Sequence, residues 1–361
     1  MPCRSCAAAF SARHLAGEHD HATATGASAA RLRAAGARAA IASGHSVAEH
    51  PEMVQASRLV PRGSEGIRDG PHETDAEGRR AVSPPLPPER LREFVLSTER
   101  AGLDDLWLWE DCFLEGGLTT ATAALAWSSS LRIGLGLMPV PLRNPALAAM
   151  EVATLARLFP GRFVPAVGHG VLPWMEQVGA RAPSPMTLLR EWVTAARSLL
   201  RGDVVTVSGQ YVRLSDVALD WPPDTVPPLL VGARGPKTLA LAGELADGLV
   251  LDAGISPQGV RQAVDRAAAR RPHEVVVNVL CVAGVGSTER IEAELGKSSE
   301  LLSSRAAAGS PEDVAETVRS FARAGATTVV LQPTAEDPDV AATIRLAAAA
   351  RTVLRNDSTV A

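Results

Sequence analysis

The chain has 361 residues, 46% of them apolar, and a formal net charge of -4. That is enough apolar material for one large domain or two small ones, and too little charge of either sign to imply a nucleic acid or other polyanion as partner. Four cysteines make no disulfide framework at this length, no apolar run approaches the ~20 residues of a membrane span, and no secretory-type segment opens the N-terminus, so a cytoplasmic protein is expected.

Residues 1–75 are rich in Ala, Arg, Gly, Ser and His and lack sustained amphipathic periodicity. They read as a low-complexity, disordered extension, with at most a short helix over residues 31–41. Cys3 and Cys6, with His14, His19 and His21 downstream, lack the second pair that zinc-finger spacing requires, so no metal is expected.

From about residue 80, short apolar runs alternate with helical patterns, which is the signature of an α/β fold with a parallel sheet. The runs cover residues 80–83, 106–108, 133–137, 164–167, 229–231, 249–251, 275–282 and 328–331. The first is the most polar. Helices are expected over residues 88–101, 145–159, 185–200, 236–245, 257–269 and 311–324, each opening on Pro, which suits the first helical turn. Eight strands over about 280 residues match a TIM (β/α)8 barrel, placed here at residues 76–361. An insertion after the fourth strand, about residues 171–228, carries one helix and a hairpin around Ser208, Gly209, Gln210 and Tyr211.

Barrel sites form at the C-terminal ends of strands. Glu110 and Asp111 follow the second strand; adjacent carboxylates can push one pKa upward, which suits general acid work, although a solvated loop acid or a helix cap would look the same. Of Trp107 and Trp109, one can wall a pocket while the other packs as core. Leu135, Gly136 and Leu137 end the third strand. His169 lies between Gly168 and Gly170 just past the fourth, where the glycines let backbone approach a ligand. Cys281 reads as core, and Cys112 has no evident cationic activator.

The stretch from residue 227 to residue 252 is the most informative. It runs strand, Gly-rich turn (Gly232, Ala233, Arg234, Gly235), helix opening on Pro236, then strand. Unpaired amides and the helix dipole favour an anion at such a turn. Arg234 can add a charge-assisted contact, and Lys237 or Thr238 can reach the same anion. A phosphorylated cofactor is the expected ligand.

Several motifs recur in one order. They are Leu103-Asp104-Asp105-Leu106-Trp107-Leu108-Trp109-Glu110-Asp111, Leu131-Arg132-Ile133-Gly134-Leu135-Gly136 with Asn144-Pro145-Ala146 beyond, and Gly161-Arg162-Phe163 to Val167-Gly168-His169-Gly170. The Gly232 turn and Arg323-Ala324-Gly325-Ala326 before Val329-Val330-Leu331 complete the set. Over about residues 84–332 the chain resembles the luciferase-like monooxygenase family. The resemblance implies a TIM barrel whose insertion covers the cofactor mouth, and a non-prolyl cis peptide at Gly136 bulging against the cofactor ring. It implies an acid followed by His after the second strand, where this chain has Glu110 and then Asp111. It also implies an oxidoreductase using coenzyme F420, with hydride transfer between the deazaflavin and a small organic substrate. In that reading Glu110 or Asp111 manages the proton, His169 meets cofactor or substrate, and Leu135, Gly136, Leu137, Gly168, Gly170, Gly232, Ala233, Arg234, Gly235, Lys237 and Thr238 bind the cofactor.

The alternatives are an FMN-dependent two-component monooxygenase that uses oxygen and a partner flavin reductase, a cofactor-binding barrel without turnover, and an unrelated sugar-phosphate barrel. F420 carries extra carboxylates on its tail, for which Arg181 and Arg190 of the insertion offer a basic groove. Family members are often homodimers. Only two of the 36 basic residues are lysines, Lys237 and Lys297, which fits a GC-rich and, with the resemblance, an actinobacterial source.

Overall fold

A computed structural model describes residues 87–269, 273–284, 286–287, 289–291, 305–334 and 339–358, and the backbone of residues 38–43. All belong to one unit, Ala35–Ala361. The elements in chain order are β1 (Arg38–Ser43), α1 (Leu91–Arg100), β2 (Asp105–Leu108), α2 (Gly117–Trp127), β3 (Arg132–Pro139), α3 (Pro145–Leu158) and β4 (Phe163–Gly168). Then come α4 (Leu172–Gln177), α5 (Pro185–Leu200), β5 (Val205–Ser208), β6 (Arg213–Val217), β7 (Leu230–Gly232), α6 (Pro236–Leu245) and β8 (Gly248–Leu251). The chain continues through α7 (Pro257–Ala267), β9 (Glu274–Val282), β10 (Ala306–Ala308), α8 (Pro311–Arg323), β11 (Thr328–Gln332) and α9 (Val340–Ser358).

Eight strands pair in parallel around a closed ring, in the order β1, β2, β3, β4, β7, β8, β9, β11 and back to β1. This is the (β/α)8 barrel expected, and seven of its strands lie on the apolar runs read from the sequence. The eighth does not. The place between β11 and β2 belongs to Arg38–Ser43, with Ala39 beside Val329 and Ile41 beside Leu106. The barrel therefore draws a strand from the segment read as a disordered extension, and a boundary at residue 75 does not mark its start. Residues 80–83 lie outside the described residues. Six residues of Ala-rich sequence, RAAIAS, carry too little periodicity to be read as a strand. Only the ladder partners on both sides identify it.

Side chains alternate along each strand, so one set fills the barrel and the other meets the helices. The inner set is Trp107, Val164, Ala166, Leu230, Val250, Val276 and Val330. Trp107 is the largest of these. Its ring lies so close over β3 that a Cβ at Gly134 would sit 2.4 Å from it. The outer set joins the helices in one continuous core. At the N-terminal end, Arg132 grips Asp105 through two bonds of 2.8 and 3.0 Å and reaches Glu274 at 2.9 Å, tying the starts of β2, β3 and β9.

Five of the six expected helices start at their predicted Pro, the first opens as a single 3-10 turn at Pro88–Arg90 before turning α-helical at Leu91, and α2, α4 and α9 fall outside the expected set. Asn144 accepts from the Ala146 amide, and Ser310 with Asp313 forms a reciprocal capping box. The insertion does form an antiparallel hairpin, β5 with β6. Its turn is fixed to α5 by Glu191, which accepts from the amides of Gln210, Tyr211 and Val212 at 2.9–3.0 Å.

Candidate active site and cofactor cavity

A cavity of about 340 Å³ opens at the C-terminal mouth of the barrel. Its wall contains Trp109, Glu110 and Asp111 after β2, Gly136 and Leu137 of β3, His169 and Gly170 after β4, and residues 232–235 with Thr238 at the start of α6. Most of the residues singled out from the sequence therefore meet in one place. Three do not line it. Leu135 is fully buried toward the helices, Gly168 lies behind Leu137, and Lys237 is exposed.

The two carboxylates behave differently. Arg143 donates to Glu110 Oε1 at 2.6 Å. Burial raises the Glu110 pKa, and Arg143 draws it back part of the way. Among the described residues Asp111 has no cationic partner. Burial first, and then the charge of Glu115, raises its pKa to about 7. The neighbour raising it is thus Glu115 rather than Glu110, whose charge Arg143 offsets. The same burial and both carboxylates push the Cys112 thiol up, away from the reactive thiolate.

The peptide between Gly136 and Leu137 is cis, and the β3–β4 register shifts between Leu135 and Met138. Leu137 points inward beside Gly136. Its side chain occupies a notch in the next two strands, where a Cβ on Gly168 would lie 2.7 Å, and on Gly232 2.2 Å, from Leu137 Cδ2. The glycines that read as ligand-approach positions are needed here to receive a leucine.

His169 Nε2 lies 3.4 Å from Thr238 Oγ1, a long contact, and its Nδ1 makes no hydrogen bond. Burial lowers the ring's pKa against a weaker opposing pull from the Pro185 carbonyl, so the neutral form is favoured.

At the turn, the Ala233 amide is committed to the Val250 carbonyl at 3.1 Å, so it does not serve an anion. Arg234 pairs closely with Asp252, which cancels most of its charge. What faces a ligand is the first turn of α6, capped by Gly235 without a side-chain bond. Within the insertion, only Val171 and Trp174 reach the cavity, and the hairpin stays on α5. Arg181 pairs with Glu176, and Arg190 with Glu244, both at 2.6–2.7 Å, so neither offers a free basic groove.

Sequence reasoning missed Asn278. It stands inside the barrel on β9, is 5% exposed, donates to the Leu251 carbonyl and keeps its own Oδ1 unpaired. A polar residue within the run VVVNVLCV was its only signal. Glu110 Oε2, Asp111 Oδ2, His169 Nδ1 and Asn278 Oδ1 are all shut from solvent and unpaired. Four orphaned polar atoms on the residues of one cavity fit a polar ring system in it. Among the described residues no cluster of His, Cys, Asp and Glu is arranged to hold a metal; Cys3, Cys6, His14, His19 and His21 lie outside them. No helix among them is long and apolar enough to cross a membrane.

Barrel, mouth cavity and helix-start turn define a (β/α)8 protein with a cavity at its strand ends. The chain belongs to the luciferase-like monooxygenase family, whose model matches residues 69–293. It is 27% identical over 240 residues to a 5,10-methylenetetrahydromethanopterin reductase of Methanolobus tindarius, covering 64% of this chain and 72% of that one. It is 30% identical over 190 residues to an F420-dependent glucose-6-phosphate dehydrogenase of Kineococcus radiotolerans, covering 49% and 56%. The chain thus spans little more than half of that second relative. Among solved structures, an F420-dependent secondary alcohol dehydrogenase in complex with an F420–acetone adduct superposes with a TM-score of 0.64 at 22% identity, over 73% of this chain and 95% of that one. That likeness is one of fold.

Proposed function

We propose that this protein is an F420-dependent oxidoreductase acting on a small organic substrate. One observation carries the reading: a helix-start turn suited to a phosphate and a buried acid with a pKa near 7 wall the same cavity. The F420 dependence of its relatives supports it. The deazaflavin, when bound, supplies hydride transfer.

The chain's own residues do the rest. The amides at the start of α6 hold the phosphate, with Gly235 leaving them uncovered. The Gly136–Leu137 peptide and Trp109 support the ring. Asp111, protonated in part at neutral pH, holds or releases the proton at its Oδ2, which no group in the cavity engages. Glu110 is tied to Arg143 and serves better to orient that guanidinium. Neutral His169 and Asn278 offer hydrogen bonds to ring or substrate.

The test is equilibrium dialysis of oxidised F420 and of FMN against the full chain. Micromolar F420 binding with FMN at least tenfold weaker is expected. A preference for FMN would move the reading to oxygen chemistry with a partner reductase, and binding of neither would remove the cofactor assignment. Binding without turnover of any alcohol, sugar phosphate or pterin would leave a carrier barrel.

A further inference from the structure

Behind the phosphate turn lies a second cavity, of about 470 Å³, between the start of α6, the loop after β8, one face of α7 and Arg305 just before β10. Ala233, Arg234 and Asp252 line both cavities, so the two share a wall. We propose that this second cavity is a subsite for an anionic, carboxylate-bearing extension of the ligand whose phosphate sits at the start of α6. The inference rests on the cofactor reading above and assigns residues to a part of the ligand that the reading leaves unplaced.

The charge balance argues for it. Among the described residues in this wall, Asp252 is the only acid, and it pairs with Arg234, so these two largely cancel. Arg266 and Arg305 remain, and neither makes an ion pair with a described residue. Arg305 Nε is shut from solvent with no acceptor, a donor whose desolvation is offset only when something binds. Gln262 adds an amide beside them. Two unneutralised guanidiniums around a concave space suit paired carboxylates, which Arg recognises through forked bonds.

A mononucleotide ends at its phosphate and leaves this space empty. F420 continues past the phosphate into a tail of carboxylates. The subsite is therefore where the chain would tell a tailed deazaflavin from FMN. Arg190 of the insertion, held by Glu244, plays no part.

The test measures binding of three probes to the full chain: F420 with several glutamates, the deazaflavin mononucleotide without a tail, and inorganic phosphate as competitor. The tail should tighten binding on the order of tenfold, the worth of one or two charge-assisted contacts. Arg266→Gln with Arg305→Gln should abolish that gain and leave the tail-less probe unchanged, whereas Arg190→Gln should keep the gain. Unchanged affinity of the tail-less probe shows that the variants fold. Equal affinity for both deazaflavins in the native chain, or a gain that survives the double change, would overturn the subsite alone. A loss of phosphate competition in the double variant without any tail effect would reassign the cavity to a phosphorylated substrate and overturn the proposal. Failure to bind either deazaflavin would remove the cofactor reading and the subsite with it.

Discussion

The Leu137 side chain fills the space that a Cβ on Gly232 would take: such an atom would lie 2.2 Å from Leu137 Cδ2. Leu137 can yield only by leaving this notch for the cavity that it also lines. The end of β3 and the Gly-rich turn after β7 are thus fitted to each other through one side chain. Gly232→Ala should drive Leu137 into the cavity, destabilise the fold by about 1–3 kcal/mol, as overpacking does, and weaken cofactor binding. Adding Leu137→Ala should restore much of the stability. Chemical denaturation and dialysis of both variants check this; a single variant as stable and as tightly binding as the parent would refute the fit.

Asp111 makes stability depend on pH in an uncommon direction for an acid. Its pKa stands at about 7 in the fold against an ordinary 3.8, with burial the main cause. The folded state therefore holds the proton more tightly than the unfolded chain. The stabilisation is complete below the unfolded pKa and is lost as pH rises toward 7. Asp111→Asn removes the dependence. Its stability advantage over the parent should grow by on the order of 2 kcal/mol between pH 5 and pH 8. Parallel denaturation curves at the two pH values measure it, and a constant gap would show that Asp111 titrates as an ordinary carboxyl.

If Asp111 manages the proton, the same substitution should lower kcat by roughly 10²–10⁴ and change cofactor affinity little. Glu110→Gln acts differently. It keeps an acceptor for Arg143 but leaves that guanidinium, 19% exposed, with Glu151 at 3.7 Å as its one charged partner among the described residues, so local stability should fall along with activity. Steady-state kinetics beside thermal melts separate the two roles.

The floor of the barrel hangs on Arg132. It is 14% exposed and bonded to Asp105, which is 2% exposed. Arg132→Met strands the Asp105 carboxylate in the core and should cost about 3–5 kcal/mol, most of it recovered when Asp105→Leu is added. Cofactor affinity of the double variant should stay near that of the parent, because this cluster lies at the opposite end of the barrel from the cavity. Urea titration and dialysis check both points.

Much of this architecture was legible in the chain because parallel barrel strands are buried on both faces and read as apolar runs, as in Val275 to Val282. Helices opening on Pro145, Pro185, Pro236, Pro257 and Pro311 were equally plain. β1 was not, since RAAIAS has neither length nor alternation. α2 was not, because its sequence, GLTTATAALAW, is small and apolar on most faces and gives no helical stripe. At the site, strand ends pointed to Glu110, Asp111, Gly136 and His169. That Glu110 rather than Asp111 takes the guanidinium was hidden, because it depends on Arg143 choosing Glu110 across 33 positions of sequence. The use of Gly168 and Gly232 as a socket for Leu137 and the commitment of the Ala233 amide to Val250 were hidden for the same reason: both are contacts between strands.

The most direct test is an infrared titration of the Asp111 carboxyl, taken as the difference between the native chain and Asp111→Asn from pH 4 to pH 9. A protonated-carboxyl band that disappears with a midpoint near 7, and moves when F420 is bound, is the expected result. A midpoint near 4 that ignores the cofactor would contradict a proton-carrying acid in the cofactor cavity.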